Sequence, residues 1–259
     1  MNLTPLSVCI ITYNEAENLP RCLASVAFAD EIVVVDSQST DCTVDIARQA
    51  GCRVISQPFL GYVAQKNLAL NHASHQWVLC LDADEWLRSG AAATIRAALA
   101  TRAPDVAGYT LKRHTYYLGD WVNHGGGWPE YKIRLFDRQR GRWCGNTLHE
   151  GIHVEGHVAH LDVEIGHRSY KDIAHHFSKL NTYTTVMAQS LHERRAARVG
   201  VGTLVLRPAL RFCRMFLLKG GWQDGVRGLM VAVIGAFYVF AKYAKLWELQ
   251  HGGQQPPEE

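Results

Sequence analysis

The chain has 259 residues, 47% of them hydrophobic and 20% charged, a composition that excludes disordered, collagen-like and disulfide-scaffold classes. Twenty-seven lysines and arginines against 24 aspartates and glutamates leave a net charge of +3, too small to point to nucleic acid as a partner. Seven scattered cysteines without a C-x-x-C pair fit a reduced compartment, and the opening MNLTPLSVCII lacks the basic start and long apolar run of a signal peptide, so a cytoplasmic protein is expected.

In the N-terminal part, short apolar runs alternate with helical patterns, the signature of βαβ units around a mostly parallel sheet. Ser7–Thr12, Glu31–Asp36, Arg53–Gln57 and Trp77–Asp82 read as strands. Three of these runs are almost wholly apolar, as strands covered on both faces must be. Helices are expected at Pro20–Ala27, Thr43–Ala50, Tyr62–Ala73 and Ser89–Ala100, with Pro20 in a first turn, and Asp41 or Thr43 and then Ser89 as caps. From Gly108 to Tyr170, glycine-broken pieces such as Gly108–Thr115 and Ile133–Phe136 predict a smaller mixed or antiparallel region. From Lys171 onward the pattern is helical, with Pro208 in a first turn or at a kink, and the polar tail His251–Glu259 is expected to fray. The longest charge-free stretch, between Arg227 and Lys242, has 14 residues. As a helix it rises about 21 Å against a hydrocarbon core of about 30 Å, so no membrane span is expected.

Open α/β sheets bind ligands at the carboxyl ends of their strands, and three such ends carry polar groups: Thr12-Tyr13-Asn14-Glu15, Asp36 to Asp41, and Asp82-Ala83-Asp84-Glu85. In an extended segment Asp82 and Asp84 would face one side, where two carboxylates without Cys or His favour a hard divalent cation, Mg2+ or Mn2+. The plain alternatives are Asp84 capping the next helix and Asp36 bonding its own turn. Neither G-x-G-x-x-G nor G-x-x-x-x-G-K-[ST] is present, so a nucleotide would be held by acids and a metal rather than by a glycine-rich cradle.

Four segments in this order and spacing, CIITYNEAENLPRCLASV, EIVVVDSQSTDCTVDIA, FLGYVAQKNLAL and VLCLDADEWL, resemble the family 2 glycosyltransferases of the GT-A fold. With WPEYKIRLFDR, GNTLHEGI and RPALRF…FYVFAKYAKLWE the likeness extends to the lipopolysaccharide core β-1,4-glucosyltransferases. It implies an α/β, Rossmann-like nucleotide-diphospho-sugar transferase fold, a mixed sheet flanked by helices. By this resemblance Thr12, Tyr13 and Glu15 line a nucleoside pocket, Asp36 contacts the base, and Gln65 and Lys66 lie near ribose or diphosphate. Asp84 then binds the metal, and Asp82 supports ribose or metal. Where many members carry an acidic pair as catalytic base, this chain has Leu148-His149-Glu150, and Glu150 is the expected base of an inverting displacement. His149 would orient it or contact phosphate, although an isolated His next to an acid is more often a structural hydrogen-bonder, and Trp128, Glu130 and Arg134 would shape the sugar or acceptor pocket, core packing being nearly as good a reading of Trp128. His153, His157 and His160 sit in a strand-like segment, so a zinc site is not expected.

Between Arg194 and Arg227 stand eight basic residues and one acid, Asp224. Arg207, Arg211 and Arg214 form a basic stripe beside Leu206, Leu210 and Cys213, as in helices that lie on anionic membranes. The alternative is a buried apolar helix with merely solvated arginines. The chain divides into residues 1–105, a nucleotide-sugar half, 106–170, an acceptor and base half, and 171–259, a helical membrane-associating extension. The implied activity is transfer of a hexose, glucose from UDP-glucose, to a heptose of the lipopolysaccharide inner core at the inner face of the inner membrane. Another surface polysaccharide, a polyprenyl-linked acceptor, or a non-catalytic sugar-nucleotide-binding role remain open. A sugar nucleotidyltransferase would need a glycine-rich basic loop where TYNEAEN stands.

Overall fold

A computed structural model of the chain describes residues 4–146, 149–195 and 198–252. Leu148 and the expected fraying of residues 253–259 lie outside these, and of His149 only the backbone is described. The chain forms two compact units, Met1–His114 with Pro129–Arg168, and Thr115–Trp128 with Ser169–Glu259.

The first unit alternates β1 (Leu6–Thr12), α1 (Leu19–Ser25), β2 (Glu31–Asp36), α2 (Thr43–Gln49), β3 (Arg53–Ser56), α3 (Tyr62–His72) and β4 (Trp77–Asp82). It continues with β5 (Glu85–Leu87) and α4 (Ala91–Thr101), and then β6 (Val106–Tyr117), whose last residues enter the second unit. After the short β7 (Asp120–Trp121) of that second unit come β8 (Glu130–Asp137), β9 (Gly141–Asn146), β10 (His149–Val154) and β11 (His157–His167). The main sheet runs β3-β2-β1-β4-β8-β6-β11-β5. The four strands from β3 to β4 are parallel, and β8, β6 and the β11–β5 pair add antiparallel partners. The expected parallel half followed by an antiparallel extension is therefore what forms.

Its apolar runs are explained by two cores. Leu6, Val8 and Ile10 of β1 and Trp77, Leu79 and Leu81 of β4 pack on one face with α1, α2 and α4. The alternate residues Cys9, Val78 and Cys80 pack on the other with Ala69 and Leu70 of α3, Phe136 and Trp143. Helix ends differ in detail from expectation. Gly90, in the left-handed region at φ 85°, is the N-cap of α4 instead of Ser89. The cap of α2 is Cys42, and Asp41 accepts from the Thr43 N–H at 3.0 Å, doing a cap's work one residue earlier. β10 pairs only with β9 among the described residues, making a separate two-stranded ribbon.

The second unit contains α5 (Ile173–Glu193), α6 (Val201–Cys213) and α7 (Gly225–His251). A side-chain cap starts α5, where Asp172 accepts from the His175 N–H at 2.7 Å. Pro208 lies inside α6 and not in its first turn. A count of charge-free residues understates α7: together with the single 3-10 turn before it, the stretch Gly221–His251 has 31 residues, long and apolar enough by length and composition to cross a membrane, with only 22% of its most apolar window buried. The helix carries Lys242 and Lys245 without breaking, so the expectation that it is too short for a span is corrected.

Candidate active site

The loops after β1 and β2 are laced together at the sheet's carboxyl edge. Ser37 N–H donates to the Thr12 carbonyl at 2.9 Å, Asn14 N–H to Ser39 Oγ at 2.8 Å, Thr40 N–H to Asn14 Oδ1 at 2.8 Å, and Ala16 N–H to Asp41 Oδ2 at 3.2 Å. Asn14 and Gln38 hold left-handed backbone, φ 52° and 64°, a conformation that non-glycine residues keep only where surrounding bonds impose it. Here the exposed ring of Tyr13 stands beside the buried Thr12, whose Oγ1 has no hydrogen-bond partner among the described residues.

The structure places the other expected nucleoside residues less simply. Asp36 is buried, and its two oxygens accept from Ser39 N–H at 2.9 Å and Ser39 Oγ at 2.5 Å, the self-bonded turn that was its plain alternative. Glu15 accepts from Asn18 Nδ2 at 2.7 Å. Gln65 is fully buried and donates to Ser37 Oγ at 3.1 Å and the Gln57 carbonyl at 3.2 Å, bracing the segment between β3 and α3.

Asp82 and Asp84 do not occupy alternate positions of one strand. β4 ends at Asp82, and Ala83-Asp84 form the turn into β5. The two carboxylates accordingly have different partners. Asp84 lies 3.5 Å from His167 Nε2 on β11, whereas Asp82 meets Lys66 Nζ at 2.9 Å and Arg134 Nη2 at 3.2 Å. Burial opposes ionisation of Asp82, but Lys66 and Arg134 outweigh it and hold the carboxyl well below the usual range. Among the described residues no group of three or more His, Cys, Asp or Glu side chains is placed to hold a metal by itself.

Lys66 is the junction of the site. Its side chain is 5% exposed, and its ammonium bonds Glu150 Oε1 at 2.6 Å and lies 4.3 Å from the centre of the Trp143 ring. Burial works against its charge, yet Asp82 and Glu150 prevail and keep its pKa above the ordinary value. Glu150 reaches Lys66 from the ribbon, and its Oε2 is buried with no hydrogen-bond partner among the described residues. A residue expected at the diphosphate thus holds the residue expected to be the base.

Behind them runs an ion-pair chain that sequence reading missed in large part. Glu85 is completely buried and meets Arg134 at 2.6 Å and Arg113 at 3.3 Å, and its Oε2 accepts the Asp82 N–H at 3.1 Å. Arg113 continues to Glu130 at 2.6 Å. Burial disfavours the charge of Arg134, but Glu85 and Asp82 hold its pKa above normal. Arg134 and Glu130 are expected at a pocket; in the structure Arg134 bonds Asp82 directly and Glu85 beside it, and Glu130 joins the chain through Arg113. Trp128 belongs to the second unit. His153, His157 and His160 lie on β10 and β11, strands as expected.

Residues 7–154 match the profile described as Glycosyl transferase family 2. The chain belongs to glycosyl transferase family 2. Among the relatives of this glycosyltransferase is the lipopolysaccharide core biosynthesis glycosyltransferase LpsC of Rhizobium meliloti, 31% identical over 94% of this chain and 92% of that protein. An uncharacterized glycosyltransferase of Rickettsia typhi is 32% identical over 94% of this chain and 87% of its own length. Among solved structures, the mannosyltransferase PcManGT of Pyrobaculum calidifontis, in complex with GDP-Man and Mn2+, superposes with a TM-score of 0.55 at 16% identity, covering 98% of this chain and 89% of the other. The fold is accordingly GT-A, a mixed sheet flanked by helices.

Proposed function

We propose that this glycosyltransferase moves a hexose, glucose from UDP-glucose, onto a heptose of the lipopolysaccharide inner core with inversion at the anomeric carbon. The observation that carries the reading is Glu150: its Oε1 is held by Lys66 beside the β4 tip, while its buried Oε2 keeps acceptor capacity for the proton of an incoming hydroxyl. LpsC, similar over nearly the whole chain, carries lipopolysaccharide core biosynthesis in its name, which supports the acceptor class.

In this reading the tips of β1 and β2 receive the nucleoside, with Tyr13 free to stack on the base and Thr12 Oγ1 available to a polar group. Asp36 shapes that pocket through its grip on Ser39. Lys66 holds Glu150 Oε1 in a charge-assisted bond that fixes the carboxylate in place, and its second partner Asp82 anchors the ammonium between strand and ribbon. A single displacement follows: the acceptor oxygen attacks the anomeric carbon as Glu150 removes its proton, and the bond to the diphosphate breaks on the opposite side.

A divalent cation fits beside this machinery. Asp84 and His167 offer one carboxylate and one imidazole 3.5 Å apart, and Mg2+ or Mn2+ commonly takes only one or two protein ligands, the rest coming from phosphates and water. When bound, such a cation supplies positive charge to the departing diphosphate.

For the second unit we propose docking on an anionic membrane surface. α6 has no buried residue, and Leu206, Leu210 and Leu218 are exposed beside Arg207, Arg211 and Arg214. Lys242 adds to this charge, and burial together with Arg207 and Arg211 pushes its pKa below the ordinary value. Arg207 also bonds the Tyr243 hydroxyl and lies over its ring at 4.8 Å, so it joins the two helices as well. A lipid-linked acceptor would be met on such a surface.

The test is a donor screen against purified truncated core glycolipids, with and without chelator. A product heavier by one hexose, of inverted configuration and formed only with metal, is expected. Transfer to a different glycan class, or a retained configuration, overturns the assignment.

A further inference from the structure

The ribbon bearing Glu150 has no strand ladder to the main sheet among the described residues, so other contacts must set its position. Ile152 and Val154 pack against the second core, but apolar contact adheres without fixing direction. Direction comes from α3. Asn67 Nδ2 donates to the Trp143 carbonyl at 2.9 Å, and its Oδ1 accepts the Trp143 N–H at 3.0 Å, so one amide side chain replaces a neighbouring strand. The indole thereby held is itself 5% exposed and presents its face to the Lys66 ammonium. Consecutive residues of one helix thus grip both strands of the ribbon, Asn67 through the backbone of β9 and Lys66 through the carboxylate on β10.

We propose that Asn67 and Trp143 are positioning residues: the amide of Asn67 fixes the ribbon, and the Trp143 ring aims Lys66 at Glu150. This rests on the reading of Glu150 as base. Neither residue is needed to touch substrate, and both act through the Lys66–Glu150 pair. A ring that merely filled space would serve as well if it were aliphatic, whereas a ring that steers a cation must keep a π-face.

Two measurements on the full-length protein decide it. In hydrogen exchange, Asn67→Ala is expected to speed the amides of residues 141–146 and 149–154 at least about tenfold, while β1 and β4 keep their protection. Unchanged ribbon amides overturn the clamp, and this arm holds even where a Trp143 variant does not fold. In turnover of UDP-glucose with Mn2+ and a truncated core glycolipid, Trp143→Phe should keep kcat within about threefold. Trp143→Leu should lower it about tenfold with the donor KM unchanged, a difference that vanishes in a Lys66→Met background. Equal kcat for the Phe and Leu variants overturns the steering role. Glu150→Gln separates the two readings. If it abolishes turnover while the Phe and Leu variants agree, the base stands and the positioning falls. If it turns over at the parental rate, the base falls, and a Lys66-dependent difference still assigns Trp143 to the ammonium.

Discussion

Lys66→Met keeps the unbranched stem and removes only the ammonium that joins Asp82, at 2.9 Å, to Glu150, at 2.6 Å. Breaking a buried ion pair by deleting one partner costs about 3–5 kcal/mol, because a carboxylate remains desolvated without its cation. The two carboxylates are 25% and 26% exposed, and Asp82 keeps Arg134, so the lower end applies, about 3 kcal/mol. In a chain of this size that lowers Tm by roughly 6–12 °C. Removing the stranded charge as well, in Lys66→Met/Glu150→Gln, should recover about 1–2 kcal/mol, so the double variant melts above the single one. The folded-state pKa of Lys66 is raised, so its contribution is complete below the ordinary 10.5 and fades only as pH climbs through the raised value. Scanning calorimetry should therefore give a gap that is flat between about pH 7 and 9. A single variant within about 1 °C of the parent, or a double variant less stable than the single one, would refute the view of Lys66 as the cation of a buried pair.

The remaining predictions concern metal, membrane and pH. Asp84→Asn should raise the Mn2+ concentration for half-maximal turnover about tenfold and His167→Ala several-fold, and an unchanged metal titration in both contradicts their assignment. Exchanging Arg207, Arg211 and Arg214 together for Gln should cut sedimentation with anionic vesicles by about tenfold or more at physiological salt, with little effect on neutral vesicles. Unaltered binding would remove the arginine stripe from the interface. His176 is held down to about 4 by burial, with His175 and Lys179 adding repulsion, against an ordinary 6.5. A base with a depressed folded pKa leaves the unfolded chain holding more protons, so stability is full above 6.5 and declines as pH falls toward 4. Urea melts followed in the second unit should show that decline and lose it in His176→Phe; an equal slope in both assigns the acid sensitivity elsewhere.

The parallel half was legible because three of its four strands are apolar on both faces, and a run such as Glu31–Asp36 can end only where the sheet meets solvent. Lys66 and Glu150 were legible through the family pattern, yet their direct bond was not, since 84 positions separate them and no local rule links a helix to a ribbon. The D-x-D pair misled because alternation holds only while a strand continues, and here the chain turns after Asp82. Arg113, Trp143, Asn67 and His167 went unread, and Glu85 was read only as the end of a polar strand-tip segment, for a related reason. Each is a long-range partner, and the available sign was charge inside apolar strands, such as Arg134 in the buried part of β8. In α7 a count of charge-free residues hid a long helix, because lysines at its far end do not interrupt it.

A structure of the full chain with UDP and Mn2+ bears most directly on whether the strand tips and the ribbon form one transfer site. The account predicts the nucleoside against Thr12 and Tyr13, the cation between Asp84, His167 and the diphosphate, and Glu150 facing the vacant sugar position from the other side. A nucleotide bound away from the tips of β1 and β4, or one leaving Glu150 on the same side as the diphosphate, would contradict it.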